Sequence, residues 1–140
     1  GPEGQVTGIE SQPLIETVVG YGLAHFKAEN WPIQEAMRGI RTVCADAFDY
    51  LKEQPDDSVD VVYFDPMFRH PLLESRSLSP LRTVANHEPV SEAMIEEACR
   101  VARRRVVFKE NARSLEFERL GFTKIMGGRY SKVHYGVRIL

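Results

Sequence analysis

The chain has 140 residues, 43% of them hydrophobic and 27% charged, enough for one domain with a real core and ordinary for a folded globular protein. A net charge of −2 and a pI of about 6.1 argue against a protein held to nucleic acid by bulk charge, though not against a local basic patch. No apolar run is long enough to span a membrane, and no segment has the pattern of a signal peptide.

Taken in chain order, Val6-Thr7-Gly8-Ile9-Glu10 reads as a short buried strand that ends in an acid. Pro13 opens a helix whose apolar face is Leu14, Ile15, Val18, Val19 and Leu23, running to about Lys27. Trp31-Pro32 starts a shorter helix through Met37, stopped by Gly39. Arg41 to Ala45 is a second strand followed by Asp46; Phe48 to Gln54 is a short helix, and Pro55-Asp56-Asp57-Ser58 a turn. Val59 to Phe64, a continuous β-branched and aromatic run, reads as an interior strand of a parallel sheet and leads into Asp65-Pro66-Met67-Phe68.

Residues Arg69 to Glu88 show no clean period, and a loop of that length in a compact domain is functional or mobile. They hold Arg69, His70, Arg76 and Arg82, equally an RNA contact or a solvated loop. Val90 to Ala102 reads as a helix with Met94, Ile95, Ala98 and Val101 on one face. Arg103, Arg104 and Arg105 then read as a positive end complementing its dipole. Arg105 to Lys109 is the next strand, and Ser114 to Leu120 a short helix ended by Gly121. Phe122 to Met126 and Lys132 to Ile139 form a hairpin around Gly127-Gly128. The alternation implies an α/β fold: a sheet with helices on both faces and an antiparallel C-terminal hairpin, with residues 1–140 as one domain. Cys44, in a strand-like run, and Cys99, on an apolar helix face, lack metal-ligand spacing and read as reduced core residues of a cytoplasmic protein.

Ligands of open α/β sheets bind at the carboxyl ends of the strands. Three successive strands here end in or beside a carboxylate: Glu10, Asp46 and Asp65. Asp65 and the carbonyls around Pro66 can accept hydrogen bonds from an amino group, and Phe68 can stack on a flat base. Each residue also has a plainer reading. Glu10 reads equally as a solvated acid near a helix start, Asp46 as a helix N-cap and Phe68 as core. Lys109-Glu110-Asn111 follows the next strand and could line the same cleft, but reads best as an ordinary charged strand end. His25 and His134 are isolated, and His70 and His87 lack metal-site spacing.

The Asp65-Pro66-Met67-Phe68 step resembles the Asp/Asn-Pro-Pro-Tyr/Phe signature of class I S-adenosylmethionine-dependent methyltransferases that modify base amino groups. The form with Met in third place is most similar to a bacterial family that includes the small-subunit ribosomal RNA guanine-N2 methyltransferase. The resemblance implies a Rossmann-like sheet, S-adenosylmethionine as cofactor, and methyl transfer to an exocyclic base amine, guanine N2 in ribosomal RNA. It implies cofactor contacts at Glu10 (ribose), Ser11, Asp46 and Ala47 (adenine edge) and Asp65. It places catalysis on Asp65, Pro66 and Phe68, and substrate contacts on Met67, Phe68, Arg69 and His70. Arg69 stands where the nearest ribosomal relatives carry proline, which leaves the substrate open.

The Gly-rich turn after the family's first strand, where backbone meets cofactor, has no counterpart here. Its absence predicts a missing central strand and two unpaired edges, and hence upstream residues or a homodimer that exchanges a strand. Two other readings stand beside the RNA enzyme: a methyltransferase acting on a small molecule, and a non-catalytic binding domain of the same descent.

Overall fold

In the computed structural model the described residues are 4–66, 86 and 88–140. The chain order is β1 (Val6–Glu10), α1 (Pro13–His25), α2 (Trp31–Arg38), β2 (Ile40–Cys44), α3 (Ala47–Glu53), β3 (Val59–Phe64), α4 (Glu92–Val101), β4 (Ala102–Asn111), α5 (Glu116–Arg119), β5 (Lys124–Met126) and β6 (Val133–Ile139). The strands form two sheets where the sequence predicts one. β1 and β2 pair in parallel, and a four-stranded sheet runs β3-β4-β6-β5. β3 and β4 are parallel, and β6 is antiparallel to both its neighbours. Among the described residues β1 pairs only with β2 and β3 only with β4, so each keeps one edge without a ladder.

Local chemistry accounts for the boundaries. Proline occupies the first turn of α1 and of α2, where a missing N–H costs nothing. Arg38, in the last turn of α2, donates to the carbonyls of Leu23 and Phe26 and so satisfies the C-terminal end of α1. Gly39 ends α2 as expected but in right-handed geometry (φ −81°), so its achirality is not what is used. Asp46 accepts from Asp49 N–H at 3.0 Å and Ser91 from Met94 N–H at 3.2 Å, both side chains capping helices. Gly121, at φ +72°, makes the left-handed turn after α5.

The core belongs to the second sheet. Ile95, Ala98 and Val101 of α4 pack on Val106 and Phe108 of β4, joined by Leu51, Phe64, Phe117, Leu120 and Phe122. Phe108 stacks on Phe122 at 5.6 Å between ring centroids and meets Phe117 edge-on at 5.8 Å. Gly136, paired with Phe108, leaves room for both rings: a Cβ there would fall 2.7 Å from Phe122 and 2.9 Å from Phe117. Arg100 ties α4 to α3, donating to the carbonyls of Leu51 and Gln54 at 2.9 Å each and to Asp56 at 2.5 Å.

Four expectations are corrected. β1 is not buried, since among the described residues it has a neighbouring strand on one side only. Cys44 is exposed and Cys99 half-buried, both as free thiols; Cys44 therefore lies outside the core. β3 is an edge strand of its sheet, with Val59, Val61 and Tyr63 on an exposed face and Val62 and Phe64 turned to the core. Arg103 and Arg104 lie with Arg105 in β4 rather than at a helix end, because α4 passes directly into the strand at Ala102; Arg103 pairs with Asp60 of β3 at 3.1 Å. The last-turn cation of α4 is Arg100 instead.

Candidate active site

The two parallel strand ends of the first sheet carry the first two carboxylates. Glu10 closes β1, half-buried, opposite Cys44 of β2. Its backbone carbonyl accepts from Ala45 N–H at 3.1 Å, and its Oε1 accepts from Gln12 N–H at 2.9 Å. Asp46 follows β2 and caps α3 through Oδ1, with Ala47 opening that helix. The plainer readings of both acids, a helix-start acid and an N-cap, are thus realised. Each uses one named oxygen, which leaves room for a ligand role in addition. Ser11 accepts a hydrogen bond from Asn86 Nδ2 at 3.2 Å, and Asn86 Oδ1 in turn accepts from Glu88 N–H at 2.9 Å. Asn86 carries no sequence signal of its own. It is brought to Ser11 across 75 positions of chain.

The second sheet carries the third carboxylate. Asp65 sits directly after β3, exposed, with half-buried Pro66 behind it. Phe64 is in register with Phe108, so the next residue along β4, Lys109, faces Asp65. Its Nζ lies 3.1 Å from both carboxylate oxygens. Partial burial works to lower the Lys109 pKa, but the hydrogen bond and charge of Asp65 outweigh it and leave it raised, so the side chain stays cationic. Tyr63 is also raised, by burial first and then by the Asp65 charge. Asp65 is therefore paired with a cation across the parallel ladder. Met67, Phe68, Arg69 and His70, together with Arg76 and Arg82, lie outside the described residues.

Lys109-Glu110-Asn111 is more than an ordinary charged strand end. Lys109 orients Asp65, and Glu110 is 2% exposed. Glu110 and Asn111 line a cavity of about 700 Å³ beyond the end of β4, walled by the turn after β4 and the loop between β5 and β6. None of Glu10, Asp46 and Asp65 lines it. The basic loop on its wall, Arg129 to Lys132, has a sequence signal that a plain hairpin reading misses: an aromatic flanked by cations in a strand connection.

Glu10 closes β1 beside Cys44 of β2, and Asp46 and Ala47 follow directly, so the acid and the start of α3 sit at the carboxyl ends of neighbouring parallel strands.

A family model described as "Putative SAM-dependent methyltransferase" matches residues 3–125. The chain is 42% identical over 137 residues to "Uncharacterized protein YpiP" of Bacillus subtilis, covering 98% of this chain and 53% of that protein. It is 29% identical over 114 residues to "Ribosomal RNA small subunit methyltransferase J" of Thioalkalivibrio sulfidiphilus, covering 79% of this chain and 44% of that one. The protein of the same name from Pseudomonas fluorescens is 28% identical over 104 residues, 72% of this chain and 40% of its own length. The chain spans about half the length of these relatives. With the match running from before β1 through α5 and into β5, the chain belongs to the SAM-dependent methyltransferase family, whose cofactor is S-adenosylmethionine.

Proposed function

We propose that the protein transfers a methyl group to an exocyclic amine of a nucleobase, guanine N2 of ribosomal RNA. The observation that carries this is Asp65-Pro66 at the carboxyl end of β3, with the Asp65 carboxylate aimed by Lys109 at 3.1 Å. When bound, S-adenosylmethionine supplies an electrophilic methyl group. Asp65 accepts a hydrogen bond from the substrate amine and turns the nitrogen lone pair toward that methyl; Pro66 offers its carbonyl as a second acceptor. Phe68 stacks on the base, with Met67, Arg69 and His70 beside it. Glu10 holds the ribose of the cofactor with Ser11 alongside, and Asp46 with the Ala47 N–H meets its adenine. The catalytic contribution of this chain is chiefly positioning, where small displacements cost about a hundredfold. The names of the ribosomal RNA relatives support RNA as substrate.

The test is Asp65→Ala in the full-length protein, assayed for transfer of labelled methyl to small-subunit ribosomal RNA. A loss of at least about 100-fold is expected, with circular dichroism showing that the variant keeps its fold. Full methylation by the variant would sink the assignment. A pI of about 6.1 favours a second reading, transfer to a free small amine. RNA binding measured across salt separates the two.

A further inference from the structure

We infer that the cavity at the end of β4 and the loop above it form a contact site for single-stranded RNA next to the target base. This rests on the methyl-transfer reading and extends it to residues that reading does not use. The site adjoins Asp65 by construction of the sheet. β4 is the ladder neighbour of β3, and Glu110 and Asn111 are the two residues beyond Lys109. At about 4.8 Å between strands and about 3.3 Å per residue, the cavity starts on the order of 10 Å from the Asp65 carboxylate, within reach of the next nucleotide along a strand.

The lining sorts by chemistry. Arg113, Arg129 and Lys132 are exposed at the rim, and His134 lies beside them. Glu110 is the buried carboxylate of the floor. A phosphate is repelled by that floor and attracted to the rim, so the backbone belongs on the rim. Glu110 itself is closed off, its Oε1 accepting from Asn111 N–H at 2.7 Å, so bases meet the loop above rather than the floor. Tyr130 is 90% exposed, with the Arg129 guanidinium 5.8 Å from its ring centroid. An aromatic side chain left in water beside three cations is the combination that binds single strands, the ring by stacking and the cations by charge. The loop is also held in place: Ser131 N–H donates to Gly128 O at 2.9 Å, and Ser131 Oγ to Val133 O at 2.6 Å. His134 fills the space over Gly127, where a Cβ would fall 2.0 Å from its ring. A protein of net charge −2 thus concentrates local positive charge on one connection at the catalytic end of the sheet.

The experiment is fluorescence anisotropy of a short labelled single-stranded RNA with the full-length protein across a salt series. Arg129→Ala/Lys132→Ala is expected to lower the log–log salt slope by about 1.4, roughly 0.7 for each phosphate no longer neutralised. Tyr130→Ala is expected to weaken binding about tenfold with the slope unchanged. The charge-keeping Arg129→Lys/Lys132→Arg should retain the slope. All these positions are on the surface, and circular dichroism verifies that the variants fold. An unchanged slope in the alanine pair, or a wild-type protein that binds no RNA at any salt, overturns the inference. The two readings fail separately. Full methylation by Asp65→Ala with the slope change intact sinks the base-amine chemistry alone. An inactive Asp65→Ala with loop variants indifferent to RNA sinks this surface alone.

Discussion

The two sheets of this molecule use similar sequence material to different ends. β1, α1, α2 and β2 are rich in apolar residues, yet none of their residues is buried. Leu14, Val18, Tyr21, Phe26 and Trp31 stand in solvent, Val18 at 63% exposure. From Leu51 onward comparable apolar material produces a packed core, with Phe108 at 1%. The difference shows that periodicity specifies an element and the face it offers, while burial depends on a neighbour to meet that face. In the first sheet the offered surface is an open strand edge and a helix stripe. In the second, α4 closes over β3 and β4.

This contrast can be broken most sharply by truncating one side chain from each region. Phe108→Ala should cost about 3–5 kcal/mol in denaturant unfolding, through removal of the ring and the cavity left among Phe117 and Phe122. Val18→Ala should stay within about 0.5 kcal/mol. Comparable losses would mean that both sheets share one core in solution. Native-state hydrogen exchange sharpens the same point: amides of β1 and β2 should be protected at least about tenfold less than those at the centre of β4 and β6. Arg100→Ala should raise exchange at Tyr50 and Leu51 in α3 while leaving β4 and β6 protected, since that guanidinium joins α3 to α4. Equal loosening of β4 would show that the joint is instead part of the core.

The smallest expected effect concerns pH. Lys109 has its pKa raised in the folded protein, so its pairing with Asp65 contributes fully below the unfolded value of about 10.4 and is lost as pH rises through the folded one. The stability advantage of wild type over Asp65→Asn, followed by urea midpoints, should therefore fade in strong alkali. An advantage constant with pH would show that the pair adds nothing.

Much of the fold is legible in the sequence, and the misses are instructive. β1 and β3 match their expected limits residue for residue, because each is a β-branched run closed by a turn residue or an acid. The α4–β4 boundary departs from expectation because no breaker separates the two elements; Ala102 suits either state, and helical periodicity runs on over arginines that belong to a strand. Asp65 is visible in the sequence as a chemical group at a strand end. Its partner Lys109 is not, because pairing across a parallel ladder depends on register, and no local pattern states which residue of β4 will stand beside residue 65. The division into two sheets is not legible in the sequence, because no local pattern states that β2 and β3 do not pair.

Gly136 has a meaning for inheritance as well as packing. The residue opposite Phe108 must stay without a side chain for as long as Phe117 and Phe122 occupy its space, so these four positions can change only together. In a library randomised at all four, survivors should fall into a few discrete combinations of glycine with large rings or of larger residues with small ones. Such linked variation would mark the hairpin in distant sequences where the Asp65 turn has already been rewritten.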